Sequence, residues 1–194
     1  MYDYFNGKLV FKAPTHVILE VGGIGYYIHI SLTTYSLIKD QENSKLFISF
    51  QVREDAHTLF GFATEGERHL FNHLISVSGI GPNTGRMMLS SITPEEIQSA
   101  IINGQVAIIQ KIKGIGPKTA QRVILELQDK LKKQGDHALL PLPVATQSVP
   151  DEALSALVML GFQKSQVEKV LAALVQTDAN LTVEALIKAA LKKL

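Results

Sequence analysis

Cysteine is absent from the 194-residue chain, which removes disulfides, thiolate zinc ligation and thiol nucleophiles in one step. Long apolar runs are missing too, since no stretch approaches the ~20 residues that a bilayer-spanning helix needs. The opening Met1-Tyr2-Asp3-Tyr4-Phe5 has neither the basic start nor the apolar core of a secretory signal. A soluble cytoplasmic protein with no membrane partner is therefore expected. No GxxxxGK[ST] segment occurs, which argues against ATP binding by a Walker loop. Excess charge is scarce as well, with a formal net charge of +1, so overall basicity alone does not point to nucleic acid.

What is present points to a packed protein in several parts. Hydrophobic residues make up 46% of the chain, enough for a core, and the length suits one large domain or two to three small ones. Residues 1–64 carry five basic and six acidic side chains, residues 135–194 repeat that balance, and residues 65–134 carry nine and six. The excess gathers late, with seven basic residues from Lys111 to Lys133 against Glu126 and Asp129. A phosphate backbone requires such a local concentration, although lysine-rich helix faces are commonly just solvated.

Residues 1–64 read as all-β. Val17 to Val21 and Tyr26 to Ile30 are rich in β-branched and aromatic residues, and Gly22-Gly23-Ile24-Gly25 between them supplies the positive-φ positions of a tight hairpin. Further strands are expected around Gly7 to Lys12, Lys45 to Val52 and Thr58 to Phe62, with a short helix at Thr34 to Lys39. Five short strands with a helix after the third suit a small Greek-key barrel of the OB type. From Glu65 the period becomes helical: Leu70, Phe71, Leu74 and Ile75 mark one face, and Ala120, Val123, Ile124, Leu127 and Leu131 another. Residues 65–134 are expected to be all-helical. Pro141, Pro143 and Pro150 make residues 135–150 a linker. Beyond it, residues 151–194 hold three short helical patterns, Asp151–Leu160, Lys164–Val175 and Thr182–Leu191. So small a unit buries little surface, and an exposed apolar face would suit a protein partner.

The strongest signal is a duplication at an offset of 35 residues. Gly79-Ile80-Gly81-Pro82-Asn83-Thr84 recurs as Gly114-Ile115-Gly116-Pro117-Lys118-Thr119, each copy with an apolar residue two positions upstream (Val77, Ile112). Each follows one helical pattern and precedes another, the layout of a helix-hairpin-helix. The glycines permit an unusual turn and keep side chains away from an approaching ligand. Pro82 and Pro117 suit the first turn of the following helix. The free N–H groups of hairpin and helix start then form an anion cradle, with the positive end of the helix dipole behind them. A phosphate fits such a cradle, and that contact carries no base information. Lys118 and Arg122, one turn apart, extend the grip. Two hairpins related by a pseudo-twofold would hold both strands of a duplex across its minor groove. An ordinary interhelical turn explains one copy well and two poorly. A dinucleotide fingerprint fits neither, because Thr84 and Thr119 take the third glycine position and no strand precedes them.

At these residues the chain closely resembles the RuvA family of bacterial Holliday-junction branch-migration subunits. Leu19 to Tyr26, Val52 to Ala56, both hairpins and Leu157 to Phe162 carry the resemblance, in the family's order and over nearly the whole chain. It implies an OB-type first domain that tetramerises and a double helix-hairpin-helix second domain. It implies also a small three-helix, UBA-like third domain that docks on the hexameric ATPase RuvB. The partners it implies are four-way junction DNA, three more copies of the chain (or seven, as an octamer on DNA), RuvB and the resolvase RuvC, with no cofactor. The DNA-binding residues would be Gly79, Ile80, Gly81, Asn83, Thr84, Gly114, Ile115, Gly116, Lys118, Thr119 and Arg122. Glu54 and Asp55 match an acidic pin that guides strands apart at the junction centre, though as residues they also read as a solvated turn. Leu157, Leu160 and Phe162 match the segment that contacts the motor, with core packing as the plainer reading. Asn83 departs from the family's usual lysine, Gly85 from its usual alanine, and Tyr2-Asp3-Tyr4-Phe5 from its usual start.

Other signals in the chain are weaker. His69 and His73 have a metal-ligand spacing, but no third ligand is apparent nearby, so no metal is expected. Asp129 and Asp136 are the aspartates a helix-hairpin-helix glycosylase would need downstream, and neither has a pocket-like setting. No Ser-His-Asp order or pair of buried carboxylates stands out. A non-catalytic DNA-binding subunit is the favoured reading, and a repair nuclease or glycosylase docked by the same hairpins is the alternative.

Overall fold

The computed structural model describes residues 1–134, 149–177 and 181–193. Strands β1 (Tyr4–Ala13), β2 (His16–Val21), β3 (Ile24–Ile30), β4 (Asn43–Val52) and β5 (His57–Phe62) close into a barrel in the order β1-β2-β3-β5-β4. Closure requires β1 to pair with both β2 and β4, and a register shift between Leu9 and Phe11 bends it to do so. Gly22 and Gly23 form the β2–β3 turn with φ of 60° and 82°, as the sequence predicts. β3 and β5 run parallel, so the chain must cross between sheet edges, and α1 (Leu32–Ile38) lies in that crossover. Ser31 caps α1, its hydroxyl accepting from the Thr34 N–H at 2.9 Å. The expected OB-type barrel is what forms, with Val17, Leu19, Ile28, Ile30, Leu46 and Ile48 filling its interior.

Helices α2 (Glu65–Ser76), α3 (Pro82–Ser91), α4 (Pro94–Ile102), α5 (Val106–Gln110) and α6 (Pro117–Gln134) follow. Thr93 and Glu96 form a reciprocal capping box at the start of α4. The helical core is continuous with the last strand: Phe60 and Phe62 of β5 pack on the fully buried Phe71 of α2, ring centres 5.3 and 4.8 Å apart. Burying each such ring contributes roughly 1.5–3 kcal/mol. The divergent N-terminus is part of the same joint. Arg68 of α2, nearly buried, donates through Nη1 to the Asp3 carboxylate at 2.5 Å and to its carbonyl at 2.9 Å. That bond holds the Asp3 carboxyl below the usual aspartate range.

The C-terminal unit is a bundle of α7 (Val149–Met159), α8 (Lys164–Thr177) and α9 (Val183–Leu191) around Leu157, Val167, Leu171 and Leu186. α7 starts before the expected Asp151, because proline at position 150 is tolerated in a first helical turn. Residues 135–148 of the expected linker lie outside the described residues, as does Asp136. Among the described residues no helix is long and apolar enough to cross a membrane.

Candidate nucleic-acid interface

The two sequence copies fold into the same hairpin, bond for bond. The Ile80 N–H donates to the Val77 carbonyl at 3.0 Å and the Ile115 N–H to Ile112 at 3.1 Å. The first helical bond beyond each turn, Gly85 to Gly81 and Ala120 to Gly116, is 2.9 Å in both. The paired glycines differ in role, which the sequence does not reveal. Gly79 and Gly114 carry φ of 96° and 88°, a region that side chains disfavour. Gly81 has an ordinary φ of −83°, and at Gly81 and Gly116 an added β-carbon would meet nothing within 4 Å. The first glycine makes the turn; the second leaves an open approach. α3 begins with no side-chain cap, so its leading amides stay available to an external acceptor.

The hairpins also meet each other in a reciprocal way. A β-carbon on Gly79 would stand 4.0 Å from the Thr119 hydroxyl of α6, and one on Gly114 would stand 3.2 Å from the Met87 methyl of α3. Each turn lies against the helix that follows the other turn, as a pseudo-twofold requires. Gly85 serves this packing. A β-carbon there would stand 3.0 Å from Ile75 and 3.3 Å from Phe71, so its absence lets α3 settle closely on α2.

Asn83, Gly114, Gly116, Lys118 and Arg122 are exposed at these turns, while Thr84 and Thr119 are half-buried. Ile80 and Ile115 need correction as side-chain contacts: both side chains are buried in the helical core, and both N–H groups are donated within their own turns. They anchor the turns. Arg122 is more engaged than its spacing implies. Its Nη1 donates to the Ser78 carbonyl at 3.4 Å and its Nε lies 3.5 Å from Glu126. Lys111 and Lys113 are also exposed on the second hairpin, and the signal that marks them in the sequence is the position-by-position alignment of the two copies. Arg86 on α3 turns to the barrel instead, Nη1 donating to the Thr15 carbonyl at 2.8 Å. Near it, burial first, then the Arg86 and His16 charges, push the His29 ring below the usual histidine value. His69 lies 3.6 Å from Glu65.

Three family models match this chain: RuvA N terminal domain over residues 1–61, SAM-like helix-hairpin-helix tandem over 71–129, and RuvA C-terminal domain over 148–194. It is 51% identical to a protein of Christiangramia forsetii over all of both chains. It is 49% identical to one of Cytophaga hutchinsonii over 99% of each, and 47% identical to one of Flavobacterium psychrophilum over all of both. Each of these relatives is named Holliday junction branch migration complex subunit RuvA. The chain belongs to the RuvA family.

Two further groups of residues matched to RuvA have clear positions. Glu54 and Asp55 are exposed at the β4–β5 turn, which the Arg53 N–H closes on the Ala56 carbonyl at 2.9 Å. In the RuvA C-terminal region Leu157 must be corrected: it is fully buried among α7, α8 and α9, a core residue with no surface to offer. Phe162 is half-buried against the same core, whereas Leu160 is 63% exposed. Met159 beside it, 88% exposed, is an apolar surface residue missed in the sequence, because helical spacing alone does not reveal how α7 ends. Gly161, with φ of 98°, turns the chain there.

Proposed function

We propose that this chain is the DNA-binding subunit of a Holliday-junction branch-migration complex, working in recombination and repair. The duplicated hairpin carries the reading. Two turns with the same hydrogen bonds, packed reciprocally, present helix-start amides, uncapped by any side chain at α3, beside glycines that leave room for a phosphate. Contacts of that kind read backbone shape rather than sequence. The acidic β4–β5 turn would sit where strands part and repel phosphates there. A homotetramer would present four equivalent surfaces to four arms, multiplying contacts that a nearly neutral chain makes weakly alone, and a second tetramer would complete an octamer. Leu160 and Met159 would form part of the face that recruits the hexameric ATPase RuvB, with the resolvase RuvC a later partner. The chain itself would be non-catalytic and cytoplasmic, with no metal or cofactor.

A gel-shift comparison of a four-way junction with linear duplex, with the mass of the complex determined, tests this. Preference for the junction by an assembly of four or eight chains is expected. Equal affinity for the two DNAs refutes it. Incubation of the junction with Mg²⁺ and ATP should leave every strand intact; cut or base-free product would favour the nuclease or glycosylase alternative.

A further inference from the structure

We infer that the two hairpins grip DNA by different physics, and that Arg122, although on the second hairpin's helix, serves the phosphate at the first. The inference deepens the proposed function and rests on it. At the offset of 35, Ser76, Ser78, Asn83 and Met87 stand opposite Lys111, Lys113, Lys118 and Arg122. The first hairpin lacks all four cations, and Arg86 on its helix is turned to the barrel. The second hairpin's three lysines are exposed. Arg122 breaks the tally. Its guanidinium bonds the Ser78 carbonyl, next to the first hairpin's positive-φ glycine, while the reciprocal position by Gly114 holds the Met87 methyl. The bonds to Ser78 and Glu126 use Nη1 and Nε, which leaves Nη2 for an incoming oxygen. The first site is thus main-chain amides plus one planar, oriented donor, and the second is amides plus flexible point charges. The two strands of an arm are held unequally, one by geometry and one by charge.

The test uses the full chain and synthetic four-way junctions in which single phosphates are replaced by neutral methylphosphonates. Gly81→Val and Gly116→Val assign phosphates to hairpins, since each abolishes the effect of neutralising its own. Arg122→Met should weaken binding about tenfold, and that loss should vanish when the first-hairpin phosphate is already neutral and persist when the second is. Lys118→Asn should show the opposite pattern and flatten the slope of log affinity against log salt by about 0.9, and Asn83→Lys should steepen it by about 0.9. Arg122→Lys, which keeps the charge, should recover part of the affinity through the same phosphate. Coupling of Arg122 to the second-hairpin phosphate, or equally to both, overturns the inference while leaving the hairpin reading intact. If no phosphate responds to either glycine variant, both fall.

Discussion

Among single residues, the glycines separate folding from the proposed binding. Gly79 and Gly114 sit where a side chain is strained, so Gly79→Ala or Gly114→Ala should cost about 1 to 3 kcal/mol, read as a lower urea midpoint. Gly81 and Gly116 have room for a β-carbon. Gly81→Val and Gly116→Val should cost no more than the roughly 1 kcal/mol of a poorer helix N-cap and weaken junction binding by on the order of tenfold each, as losing a charge-assisted hydrogen bond does. If the binding losses followed the stability losses instead, the second glycines would have no role at a ligand. Glu67 makes a different prediction. It is 1% exposed, with its carboxylate accepting from the Ser31 and Thr34 hydroxyls at 2.5 and 2.7 Å. Burial raises its proton affinity above the ordinary glutamate value of 4.5, more than these bonds and the Ala63 N–H lower it. The folded state therefore holds this proton more tightly than the unfolded chain does. The stability this contributes is complete below pH 4.5 and is lost as pH rises through the higher folded value. Glu67→Gln has no proton to lose there, so wild type should fall in stability relative to it over that interval; denaturation series at matched pH values that stay parallel would contradict this.

At the scale of elements, Gly85 shows two effects opposed. Alanine would favour α3 by up to ~1 kcal/mol, yet its β-carbon would press on Ile75 and on the fully buried Phe71. Overpacking of that kind costs ~1–3 kcal/mol, so Gly85→Ala should be destabilising, and Ile75→Ala, which removes the pressed Cγ2, should cost less in the Gly85→Ala background than alone in thermal melts. The sequence alone would have given Gly85 the opposite sign, because propensity is local and the neighbour that matters is ten residues back on another helix. What was legible in the sequence follows the same division. Strands, helices and hairpins announce themselves through β-branched runs, 3.6-residue stripes and the Gly-Ile-Gly-Pro repeat, all short-range patterns. The burial of Ile80, Ile115 and Leu157 and the reach of Arg122 to Ser78 depend on which helix lies opposite, and no single-segment pattern encodes that. The N-terminus is a further case: Asp3 departs from the family's usual start, and its partner Arg68 lies far along the chain.

For the whole molecule, charge removal and truncation are the informative experiments. Glu54→Gln with Asp55→Asn should tighten junction binding or change the branch-migration rate, since repulsion of phosphates at the proposed centre is lost. Binding and migration both equal to wild type would remove the pin. Deleting residues 149–194 should spare junction binding and abolish stimulation of the partner ATPase. Within that unit Leu160→Ser should lower stimulation with little change in melting, and Leu157→Ala should cost ~2–5 kcal/mol of its stability. The joint between β5 and α2 has a consequence for movement. Because Phe60, Phe62 and Phe71 form one packed seam, the acidic turn and the glycine turns are mounted on a single frame. In the proposed roles, a strand drawn across it would travel past fixed landmarks, the way tape passes a stationary head, and the spacing between hold and divider would stay constant at every step.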